Sequence, residues 1–160
     1  DNAAWLKKVQ DAHAELSDLL EGAAYCLDWK ASPGEWSIRE IVYHILTTPR
    51  GGLPATLDKA VRGEIKELTI IGGETNLTPE LQRKSLAEVK GDVDAFFAEL
   101  TRVVSSASAE GMAREFLAHL ASRNVDEVRT PQKQLERFLT SHGAEHLKQI
   151  AKVREALGLQ

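Results

Sequence analysis

The sequence predicts an all-α protein of 160 residues that folds as a four-helix bundle, with a short extra helix and one long connection. Three observations lead to this prediction. Four segments carry apolar residues at alternating steps of three and four, which is the spacing of the buried stripe on an amphipathic helix. Capping signals precede three of these segments. No sequence unit is repeated, and the stripes keep a period near 3.5 residues, which is typical of helices packed side by side.

The composition fits a single soluble domain over residues 1–160. With 20 basic and 24 acidic residues, the net charge is −4 at pH 7. The absence of any Lys/Arg block argues against binding to nucleic acid or to an anionic membrane. The apolar run at residues 68–71 is far shorter than the ~18 residues that a membrane-spanning helix needs.

Cysteine usage and the first residues of the chain point to the cytoplasm. Cys26 is the one cysteine in the sequence, so a disulfide within the chain or a cysteine-rich metal cluster is excluded. The first residues show no basic segment followed by an apolar one, so we expect no secretory signal. A reducing compartment is therefore the expected location.

The first two helices are predicted on either side of a loop at residues 28–34. The first helix is expected to continue from Trp5 to Trp29 without a break. The second begins at Ser37, where Ser37 and Glu40 have the spacing of a capping box, in which each side chain bonds to the backbone N–H of the other residue. The prolines at 49 and 54 predict a kink or a short gap, with helix resuming over residues 55–62.

The second half of the chain begins with a long irregular connection at residues 63–77. Residues 68–71 are β-prone, but one short run without a partner is not expected to form a sheet. Thr78 and Pro79 predict the start of the third helix, which should end near residue 106. Residues 109–121 predict a shorter, weaker helix. A second Thr-Pro pair at residues 130–131 predicts the start of the last helix, which should end at Gly158.

Three histidines fall in the apolar stripes of two predicted helices. His142 and His146 are four residues apart on the last helix, so both imidazoles should point toward the core from adjacent turns. A buried ring without a polar partner costs roughly 1–3 kcal/mol. His44, on the second helix, is expected to face the same interior. Three imidazoles from two helices suit a divalent metal ion with coordination positions left open for water or substrate.

Other interpretations of these residues remain open from the sequence alone. The three histidines could be ordinary core residues bonded to carbonyls or carboxylates of neighbouring helices. His13 is expected at the edge of a stripe and partly exposed, although it could also be a fourth ligand. Cys26 is expected to be a small buried residue rather than a nucleophile, His119 to be structural or solvated, and Trp36 to close one end of the bundle. No motif assigns a catalytic residue.

Two segments of the sequence resemble the signature of the DinB-like superfamily of helical-bundle proteins. They are residues 34–45, GEWSIREIVYHI, and residues 141–150, SHGAEHLKQI. The resemblance implies a four-helix bundle that holds a divalent metal ion, nickel or zinc in particular, on three histidines. The positions that match are His44, His142 and His146. The chain departs from the family at residues 49–54, where the second helix is usually continuous.

The resemblance also implies a function. It predicts a metal-dependent enzyme that activates water or a low-molecular-weight thiol for attack on a small electrophilic substrate, as a hydrolase or a thiol S-transferase. It further implies a homodimer. The alternative is a stress-response bundle that binds a metal or a small ligand without catalysis.

Overall fold

The computed structural model of the protein describes residues 2–158. The predicted domain of residues 1–160 extends beyond them by Asp1, Leu159 and Gln160, which lie outside the described residues. In chain order the elements are α1 (Asn2–Leu20), α2 (Ile38–Thr47), α3 (Leu53–Val61), β1 (Glu67–Ile70), α4 (Pro79–Gln82), α5 (Leu86–Ser106), α6 (Ala109–Met112), β2 (Phe116–Leu120), β3 (Val125–Arg129), α7 (Pro131–Glu136) and α8 (His142–Ala156). A 3-10 turn at Ala24–Cys26 follows α1, and a π-helical turn at Arg137–Ser141 joins α7 to α8.

The long helices form the predicted bundle. α1 packs along α5 and contacts α8, α2 contacts α8 and α5, and α3 packs against α5 and α7. The core is filled by large aliphatic side chains from all of these helices, and full burial of each contributes roughly 1.5–3 kcal/mol. Fully buried examples are Leu16, Ile41, Leu57, Leu100 and Ile150. Within residues 2–158, no helix has both the length and the apolar composition needed to cross a bilayer.

The expectation of a purely α-helical chain is wrong, because a three-stranded sheet lies beside the bundle. β2 and β3 form an antiparallel hairpin, and β1 pairs with β2 in parallel, with Leu68 opposite Ala118. The predicted weak helix at 109–121 is therefore the short α6 followed by a strand. Residues 116–120 alternate between buried and partly buried positions, a period of two that is typical of a strand. The partner of β1 lies far along the chain, so its own neighbourhood in the sequence could not reveal the pairing.

Helix boundaries in the first half are partly as predicted. The capping box of Ser37 and Glu40 is confirmed, with both reciprocal hydrogen bonds present. The gap between α2 and α3 is also confirmed, although α3 resumes at Leu53, two residues earlier than expected. The first helix ends at Leu20 rather than near residue 29. Gly22 causes this early end because its φ of 69° lies in the left-handed region that terminates helices.

The predicted third helix is two helices. Thr78 caps α4, which lasts one turn, and a second capping box of Ser85 and Glu88 starts α5. This second box has the same spacing as the first, so the sequence does contain the signal for the restart. The last helix also differs from its prediction, because the π-helical turn interrupts it before His142.

The buried guanidinium of Arg39 joins three segments of the chain. Its Nε and Nη2 donate to the two carboxylate oxygens of Asp28, at 2.7 and 3.2 Å. Its Nη1 donates to the carbonyl oxygens of Leu81 and Lys84, at 2.8 and 2.7 Å. The hydrogen bonds from Arg39 also lower the pKa of the Asp28 carboxyl. One side chain of α2 therefore holds both the loop after α1 and the end of α4.

We expect Arg39→Met to lower the free energy of unfolding by about 1–3 kcal/mol, because two carbonyls and the half-exposed Asp28 lose their donor while the aliphatic volume is largely kept. Urea unfolding monitored by circular dichroism measures the change. Arg62→Met is the matched control: that side chain is 55% exposed, and its loss should change stability by less than about 0.5 kcal/mol. Similar losses in the two variants would contradict the role of Arg39.

Candidate metal centre

Three imidazoles converge on one side of the bundle. One ring nitrogen from each of His44, His142 and His146 lies within 4.8 Å of the others. The ring centroids are 4.6 Å apart for His44 and His146 and 4.9 Å apart for His142 and His146. Nitrogens this close together could hold one metal ion. The structure thus brings together the three residues that the sequence selected, while their role as metal ligands stays a prediction.

His44 is held in a fixed orientation by the backbone. The residue is 3% exposed near the C-terminal end of α2. Its Nδ1–H donates to the carbonyl oxygen of Glu74 at 2.6 Å, which leaves Nε2 as the nitrogen with the lone pair. Burial lowers the pKa of His44, and the neighbouring His146 adds to this effect. The ring is therefore kept neutral, the form that binds metals.

His146 carries the clearest sign of a missing partner. Its Nδ1 bonds to Oε1 of Gln149 at 2.8 Å, so Nε2 again has the lone pair. That Nε2 is buried and has no hydrogen-bond partner among the described residues. A buried nitrogen without a partner costs about 1–3 kcal/mol, which a bound cation would offset. The donor set therefore fits a metal ion of the kind that imidazole prefers.

His142 is more exposed than the sequence predicted. Both imidazoles of the last helix were expected to face the core, but His142 is an exposed residue at the edge of an open pocket. The reason is the π-helical turn just before it, which changes the register of the helix. Partial burial of the ring lowers the pKa of His142, as do the nearby rings of His146 and His44.

The three histidines line a pocket of about 840 Å³. Its wall combines apolar side chains from α2, α8 and the loop before α2 with charged ones. The apolar members include Trp36, Ile41 and Val153, and the charged members are Glu35, Lys152 and Glu155. Trp36, which was expected to close one end of the bundle, instead meets the ring of His44 edge-on at 5.0 Å between centroids. A mixed wall of this kind is typical of sites for small organic molecules.

The connection between β1 and α4 supplies part of the pocket that the sequence reasoning missed. Gly72 and Gly73 line the pocket, and Glu74 provides the carbonyl that orients His44. Asn76, with φ 56°, donates from Nδ2 to Oγ1 of Thr47 at 3.0 Å and so attaches the connection to α2. The β-prone residues before this connection were the available signal, because a strand there fixes where the connection begins.

The other residues considered from the sequence lie outside the three-histidine cluster. His13 is partly exposed, as expected, with Nε2 2.7 Å from Oδ1 of Asp94 and its ring stacked on another aromatic ring. Cys26 is buried, as expected, and its thiol donates to a backbone carbonyl of the preceding turn. His119 pairs with Asp126 across the β2–β3 hairpin. Neither His13 nor Cys26 lines the pocket described above.

Comparisons with known proteins agree with this architecture. The family model of the DinB superfamily matches residues 6–150. The solved structure of YfiT from Bacillus subtilis, described as a probable metal-dependent hydrolase with an unusual four-helix bundle topology, superposes with a TM-score of 0.74 at 12% sequence identity. The match covers 99% of this chain and 89% of that one. At this identity the likeness shows the fold alone. No curated protein matches the chain significantly.

The metal-free protein should lose stability in mild acid. Because the pKa values of His44 and His142 are lowered, the unfolded chain binds protons more readily, and the free energy of unfolding should fall as pH drops below the ordinary imidazole value of 6.5. His44→Gln and His142→Gln should each reduce this pH dependence. Urea unfolding in the presence of a chelator, between about pH 8 and pH 5, measures it.

His119→Gln serves as the control for this experiment, because His119 pairs with Asp126 on the β2–β3 hairpin and belongs neither to the cluster nor to the lining of the pocket. It should keep the pH dependence of the wild type. An unchanged dependence in both His44→Gln and His142→Gln would show that the two rings are not the groups responsible.

Proposed function

The chain belongs to the DinB superfamily, and from that premise we propose that it is a metal-dependent enzyme acting on a small electrophilic molecule. One observation carries the proposal: three imidazoles meet at an open pocket, and the buried Nε2 of His146 has no protein partner among the described residues. A core histidine with all its hydrogen bonds made, the plainest alternative, does not account for that nitrogen.

His44, His142 and His146 would hold the ion, with nickel and zinc as the best candidates because imidazole suits both. When bound, the ion lowers the pKa of a water molecule or a thiol so that it can attack at neutral pH. No fourth histidine, cysteine or carboxylate joins the group in residues 2–158. Structural zinc sites are usually closed by four protein ligands, so three favour a site that reacts.

The surrounding residues orient the ligands and receive the substrate. The carbonyl of Glu74 and the amide of Gln149 each fix one imidazole with its Nε2 lone pair available. Trp36 and Val153 provide apolar contact area and displace water from the pocket. Lys152 offers an ammonium group to a carboxylate or another anionic group of the substrate.

The choice between water and a thiol as the nucleophile rests on the fold neighbour. YfiT is described as a probable metal-dependent hydrolase, which favours water here. Thiol S-transfer to a small electrophile is the second form of the same proposal and uses the same three histidines. We also propose that the protein is a homodimer located in the cytoplasm.

Protein purified without a histidine tag should bind about one divalent ion per chain. His44→Ala and His146→Ala should each weaken zinc or nickel affinity by at least about 100-fold, because even the residues that merely support metal ligands contribute 10–100-fold. Isothermal titration calorimetry and elemental analysis measure this. His13→Ala should leave the affinity unchanged, since that ring is bonded to Asp94 instead. Substoichiometric metal, or unchanged affinity in His142→Ala, would rule out the site.

Turnover of a panel of esters, amides and alkylating electrophiles, with and without a low-molecular-weight thiol, should identify the nucleophile. We expect hydrolysis that is lost on chelation, restored by added metal and reduced to background in His142→Ala, because the activated water needs all three ligands. Product that forms only with thiol would identify an S-transferase. Metal binding without product in either condition would instead support the non-catalytic bundle.

A further inference from the structure

The turn that precedes His142 is wider than an α-helical turn. Residues Arg137–Ser141 form a π-helical turn, and the backbone N–H of His142 donates to the carbonyl oxygen of Arg137, five residues earlier. A turn of this kind takes up one more residue than an α-helical turn, and such turns are frequent at functional sites. α7 and α8 are therefore one helical rod that contains a single extra residue.

The extra residue decides which side of the rod the histidines occupy. Successive residues of an α-helix are about 100° apart. In an uninterrupted α-helix, His142 and His146 would lie about 20° to either side of Leu135, by the same geometry. Leu135 is fully buried in the core. Once the π-helical turn takes up one residue, both histidines are rotated by about 100° away from that direction.

Burial along α8 agrees with the shifted register. After the correction for one residue, Gly143 and Ile150 lie on the side of Leu135, and both are buried. His142 is exposed and His146 half-buried, and both line the pocket. The two histidines therefore reach the pocket, rather than the core, because of the turn.

We propose that this π-helical turn positions the metal site, and that Gly143 is the positioning residue that permits the turn. A Cβ atom on Gly143 would lie well inside van der Waals contact with the carbonyl oxygen of Phe138, a residue of the turn. Glycine alone avoids that overlap. The inference rests on the proposed function, because it takes the three histidines as the ligands.

A role for Gly143 in packing between helices does not explain the glycine as well. The three atoms nearest to an added Cβ all belong to the backbone of Phe138, within the same rod. Glycine is also the poorest helix former after proline, so its presence here needs a local reason. The close approach of the Phe138 carbonyl is that reason.

Four proteins test the proposal with zinc as the probe: Gly143→Ala, a deletion of Thr140, the combination of both, and Gly91→Ala as the control. Thr140 is an exposed residue of the turn, and its deletion removes the extra residue. The rod can then form an ordinary α-helix in which the residues of α8 keep their orientation, with Ile150 toward the core and His142 and His146 toward the pocket. Gly91 lies in α5, and an added Cβ there meets no atom within 4 Å.

Gly143→Ala should weaken zinc affinity by at least about tenfold, the smaller of the effects seen for residues that support metal ligands. The deletion and the combined variant should both stay within a few-fold of the wild type, as should Gly91→Ala. Recovery in the combined variant is the decisive result, because shortening the rod cannot repair a glycine needed for any other reason. Unchanged affinity in Gly143→Ala, or no recovery in the combined variant, would overturn the proposal.

Urea unfolding of the same four proteins without metal separates this proposal from the proposed function. The unfolding midpoint should fall in Gly143→Ala and recover in the combined variant. If the wild type bound neither zinc nor nickel, the proposed function would fail, while recovery of the midpoint would still show that Gly143 serves the turn. If Gly143→Ala did not fold at all, a folded and zinc-binding combined variant would support the proposal, and an unfolded one would contradict it.

Discussion

The hydrogen bonds of Arg39 are the contact on which the arrangement of the site depends. A charged group can be buried only when it is paired and hydrogen-bonded, and here the guanidinium meets both oxygens of Asp28, the carbonyl of Leu81 in α4 and the carbonyl of Lys84 just after it. These partners lie before and after α2 in the chain, so they set the position of that helix from two directions. The capping box of Ser37 and Glu40 fixes its first turn. His44 lies further along the same helix, so its position is set by the position of α2.

In the three-histidine site, the imidazoles of His44 and His146 are only partly hydrogen-bonded. His44 and His146 each have one ring nitrogen bonded to an oxygen of the protein, and the other nitrogen is left with its lone pair. An uncharged buried ring with an unused lone pair is unfavourable for stability in the absence of a ligand. The fold accepts this at the edge of the bundle, where the pocket is open, while the rest of the core is filled by aliphatic side chains. The nitrogen that lowers the stability of the ligand-free protein is thus also the one that the pocket makes available to a ligand.

The small sheet shows why part of the site could not be predicted. β1 pairs with β2 at a distance along the chain that no local pattern covers, and the connection that follows β1 carries the carbonyl of Glu74. Backbone carbonyls leave no trace in residue types, so even a correct strand prediction would not have named this one. The alternation at residues 116–120 is one of burial, and it does not appear in the residue types, four of which are apolar. The pairing was decided by contacts between segments that the sequence keeps far apart.

The amino-acid sequence by itself determined the helical bundle, the start of α2 and the identity of the three histidines. Each of these follows from spacing within a single helix. The signals are the capping box of α2, the apolar stripes, and the four-residue interval between His142 and His146. The tertiary structure alone decided that His142 and His146 face a pocket instead of the core. That outcome depends on a single extra residue in the turn before His142 and on the backbone oxygens around it. Spacing along a regular helix predicts which residues share a face, but one irregular turn decides where that face points.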